Sequence, residues 1–228
     1  MKKLLFLLIV AAAGGYWLLL TRPGLYYDKT LEYRCFTLHA RGALPEKTDA
    51  VLDKVYDRLS AAEFFDQDNK LNLYLTGGPH EFSFFVPFQA SAYARVNAVS
   101  GAIFLAVSDF TADEVRTAPG ASAHRALSAE IAGAAAREQV RRTLKPLSYL
   151  LMDDWKLRGF SERVSGGTGE YQPADICKSD DPAMRDFKYG LAVDYAVKVE
   201  GMSMTELMNK DYSYENVAEA VKKVNCGG

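Results

Sequence analysis

Residues 122–166, SAHRALSAEIAGAAAREQVRRTLKPLSYLLMDDWKLRGFSERVSG, constrain the fold more than any other stretch of the chain. The Ala-rich run from Ser122 to about Leu144 predicts one long helix, because alanine loses no side-chain freedom there. Pro146 stops it, having no N–H to donate and a ring that clashes with the preceding turn. A second helix follows over roughly 147–163, and Gly166-Gly167-Thr168-Gly169 reads as the loop that ends it.

The chain before this pair is patterned for strands. Residues 31–39, LEYRCFTLH, have a strand-like mix of Tyr, Phe, Cys and Thr. Pro45 lies near the start of a helix through about Leu59, with Val51, Leu52, Val55 and Leu59 on one face. Leu71-Asn72-Leu73-Tyr74-Leu75 alternates as a half-buried strand does and ends at Thr76-Gly77-Gly78-Pro79. Residues 92–98 and 102–107, divided by Ser100-Gly101, predict a hairpin. After the central pair, 182–200 and 203–223 read as two more helices around Gly201. Strands first and helices after give an α+β class, a small N-terminal sheet followed by a helical C-terminal half. The chain carries no internal repeat or low-complexity segment.

Residues 4–20, LLFLLIVAAAGGYWLLL, are 17 uncharged residues, at the short end of what spans a bilayer. Lys2 and Lys3 flank the run, which places that end in the cytoplasm and the rest of the chain outside. The expectation is a signal anchor: a single-pass protein of the cytoplasmic (inner) membrane with a periplasmic or otherwise extracytoplasmic domain. A cleaved signal peptide is the competing reading, with Ala11-Ala12-Ala13 as a small-residue site. Tyr16-Trp17-Leu18-Leu19-Leu20 argues against it, since cleavage would leave an apolar new N-terminus. Residues 1–25 then form the anchor and a linker beginning at Thr21-Arg22-Pro23-Gly24, and 26–228 one extracytoplasmic domain. Half the residues are hydrophobic (49%) and a quarter charged, which excludes general disorder. A net charge of −2, with no Lys/Arg block longer than a pair such as Arg141-Arg142, excludes a concentrated basic face for nucleic acid. Cys35, Cys177 and Cys226 are too scattered for a zinc cluster or a C-x-x-C redox site. In an oxidising compartment two of them can pair, and the sequence does not fix which two.

The segment Trp155-Lys156-Leu157-Arg158-Gly159-Phe160-Ser161-Glu162-Arg163-Val164-Ser165-Gly166 resembles the W-L-x-E-G-F-A-E-Y-V-x-G segment of membrane-associated gluzincin metallopeptidases. In that superfamily it follows an H-E-x-x-H helix, and the Glu before the Gly is the third zinc ligand. Ala129-Glu130-Ile131-Ala132-Gly133 falls where the zinc helix belongs, and the strand pattern upstream is similar to the β half of the family. In a working site the two His lie one helical turn apart and share an ion, while the Glu activates the metal-bound water. Here Ala129 and Gly133 stand at the His positions and Arg158 at the third ligand, while Glu130 keeps the general-base position. His39, His80 and His124 include no pair at helical spacing.

The resemblance therefore implies a zincin-like domain that has lost its metal, with no cofactor. Its cleft would be formed by Ala129, Glu130, Gly133, Arg158 and Glu162, and Glu130 would be vestigial. It also implies an empty space at Ala129 and Gly133, into which Arg158 reaches to pair with Glu130 in place of the ion. The plainer readings are an Ala-rich helix packed closely on a neighbour and a solvated Arg158. Asp153-Asp154 and Asp180-Asp181-Pro182 read as helix starts rather than acid/base pairs. Glu81-Phe82-Ser83-Phe84-Phe85-Val86-Pro87-Phe88 reads as core or flap packing, or as an aromatic surface for a peptide or the membrane. Ser122, Ser128 and Ser161 lack a hydrolase elbow. The expected function is a membrane-anchored, catalytically inactive, peptidase-like module that binds a peptide or protein in the cell envelope. An active peptidase with non-standard zinc ligands and a purely structural envelope protein are the alternatives.

Overall fold

A computed structural model describes residues 2–87, 92–121, 124–167, 171–177 and 181–226. Phe88, Ser122, Thr168, Gly169 and Asp180, named above, lie outside them. The fold is mixed α+β. Where the sequence reading places one domain over 26–228, the chain forms two compact units. Met1–Leu52 and Gln67–Leu127 make the first, and Asp53–Asp66 and Ser128–Gly228 the second.

The first unit begins with α1 (Lys2–Thr21). Its segment Lys3–Thr21, with a mean hydropathy of 2.2, is long and apolar enough to cross a membrane. The expected linker is not a free tether. Pro23–Leu25 forms a 3-10 turn with Pro23 buried, and Tyr27 is only 6% exposed. The stretch read as one strand at 31–39 is a hairpin, β1 (Lys29–Tyr33) and β2 (Phe36–Ala40). Arg34 takes the left-handed φ of 53° that reverses the chain between them. Then comes α2 (Thr48–Ser60), which belongs to the first unit through Leu52 and to the second from Asp53, followed in the first unit by β3 (Leu71–Leu75), α3 (Pro79–Phe85), β4 (Ala94–Val96) and β5 (Ile103–Leu105). Val51, Leu52, Val55 and Leu59 of α2 are all buried, as their spacing predicts.

The sheet order is β1-β2-β3-β5-β4, with β2, β3 and β5 parallel and both outer pairs antiparallel. Register aligns Leu38, Leu73 and Ile103 in one fully buried row. The next row, pointing to the other face because side chains alternate, is His39, Tyr74 and Phe104. Its rings stack, His39 on Tyr74 at 4.3 Å and Tyr74 on Phe104 at 5.0 Å. Phe85 of α3 extends the column at 4.7 Å from Phe104. Residues 81–87 of the aromatic segment thus belong mainly to a short helix and its packing.

A second, antiparallel sheet joins β6 (Val107–Asp109), β7 (Glu114–Arg116) and β8 (His124–Ala126). Its first turn is held by Asp109 Oδ1, which accepts from the Thr111 and Ala112 N–H groups. Strands of three residues are too short to display a period, and β8 occupies residues assigned by the sequence to the long helix. That helix, α4, runs Leu127–Thr143.

The second unit continues with α5 (Pro146–Leu151), α6 (Asp154–Ser165), α7 (Arg185–Lys198), α8 (Met204–Asn209) and α9 (Tyr214–Cys226). The helix expected at 147–163 is broken because Met152 and Asp153 are extended, with ψ of 137° and 130°. The one expected at 203–223 divides into α8 and α9. Asp181 starts a 3-10 turn by accepting from the Ala183 N–H. Helices α6 and α7 approach closely through two glycines. A Cβ on Gly159 would lie 2.3 Å from the Tyr189 carbonyl oxygen, and one on Gly190 would lie 3.1 Å from Glu162 Cγ. Lys156, 2% exposed, donates to the Lys210 carbonyl at 2.6 Å and faces Asp153 at 3.4 Å, which satisfies a buried cation. Cys177 and Cys226 form a disulfide, and Cys35 is free and buried.

Two outcomes follow from this packing. Gly159→Ala places a methyl against backbone, so it should lose about 3 kcal/mol in denaturant unfolding, the upper part of the overpacking range. An exposed helical glycine would instead gain up to about 1 kcal/mol from the same change. Burial pushes the Tyr74 phenol up to about 12. The folded state therefore prefers the neutral phenol, and its stabilisation is complete below the unfolded value of about 10. Stability of the first unit should fall as pH rises from there through about 12. Tyr74→Phe should flatten that decline.

Candidate functional site

Ala129 and Glu130 lie half-buried in the first turn of α4, and Gly133, one turn on, is buried. The space expected there is filled. A Cβ on Gly133 would come 2.8 Å from Ser161 Oγ and 3.4 Å from the Ser161 carbonyl oxygen of α6. Ser161 donates to the Gly133 carbonyl at 2.9 Å, and Arg137 Nε donates to Ser161 Oγ at 3.1 Å. Glycine thus serves here for helix contact, and a larger side chain has no room.

Arg158 is also corrected. Its Nε meets Asp154 at 2.5 Å, one turn earlier on α6, and its Nη1 meets Asp186 of α7 at 3.1 Å. These carboxylates engage the guanidinium instead of Glu130, because α6 packs along α7. Burial alone would lower the Arg158 pKa, but the Asp186 and Asp154 carboxylates raise it overall. Glu162 lies half-buried against α7 at Gly190. The five predicted residues therefore belong to two helix contacts, α4 with α6 and α6 with α7.

These positions do not fit zinc: Ala129 and Gly133 have no donor atoms, and Arg158 is a paired cation. Among the described residues, no group of three or more His, Cys, Asp or Glu is placed to hold a metal ion. Glu138, which the sequence reading passed over, is fully buried and satisfied within its own helix. Arg141 holds both its oxygens, Nε to Oε2 at 2.6 Å and Nη2 to Oε1 at 2.7 Å, and Arg142 Nε adds a contact at 2.7 Å. Its signal was E-x-x-R-R at i+3 and i+4.

A better-formed site lies in the first unit, at the carboxyl ends of the parallel strands β2 and β3. Open parallel sheets commonly hold ligands at that end. A crevice of about 680 Å³ is lined there by Tyr26, Asp28, Arg41, Thr76, Gly77 and Glu81, among others. Arg41 is exposed, lies 4.5 Å over the Tyr26 ring and donates to its hydroxyl. Asp28 accepts from the Gly42 N–H at 3.3 Å. Glu81 Oε2 accepts from the Gly77 N–H at 2.7 Å, which fixes its carboxylate against the strand end.

The other oxygen, Glu81 Oε1, is buried, and so is the Tyr27 hydroxyl. The two are neighbours: the Tyr27 phenol is pushed far up, first by burial and then by the Glu81 carboxylate. A side-chain hydrogen bond to Glu81 is itself among the causes of that shift, so the Tyr27 hydroxyl is the donor that faces this carboxylate. The crevice thus offers one guanidinium and two carboxylates, suited to a ligand with an ammonium beside a carbonyl or carboxylate. Its sequence signals were the glycines closing each strand, Gly42 and Gly77-Gly78, which let backbone and ligand approach.

The two arrangements around Arg158 separate cleanly by double-mutant cycles. Arg158 with Asp186 should couple by about 0.5–1 kcal/mol, as partly exposed pairs do. Arg158 with Glu130 should show coupling within error. A substantial Arg158–Glu130 term would restore the ion-replacement arrangement.

No family model, no curated protein and no solved structure matches the chain.

Proposed function

We propose that this chain is a membrane-anchored, extracytoplasmic, non-catalytic module that binds a peptide terminus in the cell envelope, through the crevice at the ends of β2 and β3. The observation that carries the reading is the charge arrangement of the crevice: the Glu81 carboxylate, fixed by the Gly77 N–H, lines the same space as the exposed Arg41. A peptide amino terminus pairs with the Glu81 carboxylate, and Arg41 takes a carbonyl or carboxylate of the same ligand. The Cys177–Cys226 disulfide supports an oxidising compartment. The length and hydropathy of α1, with the Lys2-Lys3 flank, support an uncleaved anchor in the inner membrane with the remaining chain outside. A zincin-like origin with the zinc ligands lost belongs to the same proposal. Its support is the order of elements: strands, then α4 with Glu130 in its first turn, then α6 carrying Trp155 to Ser165.

The full-length protein in detergent should bind short peptides with a free amino terminus and lose that binding on N-acetylation. Glu81→Gln should weaken it by about 10–100-fold, the loss of one charge-assisted bond of about 1.5–3 kcal/mol. Equal affinity for free and acetylated peptides would remove the reading. The protein should copurify with no stoichiometric zinc and hydrolyse none of these peptides, and chelator-sensitive hydrolysis would favour an enzyme. Mass spectrometry of the mature chain should find residues 4–20 still attached.

A further inference from the structure

The end of α1 is not free of the first unit. Tyr16 donates its hydroxyl to the Phe84 carbonyl of α3 at 2.9 Å, and the two rings meet edge-on at 5.0 Å. Leu20 is 8% exposed. Around this contact several large apolar side chains remain open to the surroundings: Phe84 at 40%, Trp17 at 59% and Leu25 at 65%. Phe84 packs on Phe85, and Tyr26 packs on the same ring from the segment after the anchor.

Lengths decide where this contact sits. The uncharged run Leu4–Leu20 has 17 residues. At about 1.5 Å per residue it measures about 25 Å, shorter than a hydrocarbon core of about 30 Å. None of it can be left standing in water without deepening the mismatch. Tyr16 lies four residues before the end of the run, about 6 Å along the axis. Its bonding partner Phe84 is therefore drawn to a similar depth. In that medium a phenol needs a protein acceptor, which the Phe84 carbonyl supplies.

We propose that the C-terminal end of α3, with Phe84, and the adjoining Leu25 insert into the outer-leaflet interface, so that a lipid surface is the partner of this face. Trp17 and Tyr16 then occupy the interfacial zone where such rings concentrate. The first unit rests on the membrane instead of standing off on a tether. This inference rests on the uncleaved anchor proposed above.

The test uses the full chain in phosphatidylcholine–phosphatidylglycerol vesicles. Phe84→Trp is read in a Trp17→Phe, Trp155→Phe background, with lipids carrying nitroxides either near the headgroup or deep in the chain. The introduced indole should emit at short wavelength and lose most of its intensity to the shallow nitroxide, less to the deep one. Leu25→Trp, at an exposed position, should respond in the same way and guards against misfolding of the first variant. Vesicle flotation and the mass of the chain are read in parallel. An intact, vesicle-bound chain whose indoles at both positions are unquenched overturns the insertion and leaves the anchor standing. A mature chain lacking α1 overturns both.

Discussion

The stack of rings running from His39 through Tyr74 and Phe104 to Phe85 is what the first unit depends on. Each contact of this kind contributes about 0.5–1.5 kcal/mol beyond area burial. Its position matters more than its energy. The first three rings come from neighbouring parallel strands and hold their register. The fourth comes from α3, so the same column fixes that helix and with it the Glu81 carboxylate. Tyr27, tilted on Tyr74 and Phe85, ties the segment after α1 to the stack. Sheet, crevice wall and the contact with α1 thus share one set of rings.

The second unit is built on a different constraint, the closeness of helices. Gly133 against Ser161, and Gly159 and Gly190 between α6 and α7, bring backbones together at distances only glycine allows. Polar groups trapped by this packing are answered locally: Glu138 by Arg141 and Arg142, Lys156 by the Lys210 carbonyl. A buried charge of this kind is retained because its partner travels on the same or the adjacent element. Such positions resemble a site in composition while acting as structure.

That ambiguity explains what the sequence could convey. Periodicity located α2, β3, the β4–β5 hairpin and most of α4, because each is long enough or alternating enough for its pattern to appear. It did not resolve the hairpin within 31–39, where a single left-handed residue, Arg34, reverses the chain. Nor did it show β6 to β8, each three residues long. The motif around Glu130 and Arg158 suggested contacts that differ from those of Arg158 with Asp154 and Asp186, since spacing on one helix says nothing about the face of the next. The crevice was harder still. Asp28, Arg41 and Glu81 are widely separated in the chain, and only the parallel pairing of β2 with β3 brings them to one end.

The bond between Cys177 and Cys226 closes a loop with a sequence separation of 49 residues, containing α7, α8 and most of α9. Within that loop, chain continuity and molecular continuity are different things. A single protease nick there leaves both fragments covalently joined through sulfur. Such a molecule migrates as one species until it is reduced, and only then yields two. The pieces of the second unit therefore stay one molecule after a cut in that loop, for as long as the bond between Cys177 and Cys226 is not reduced.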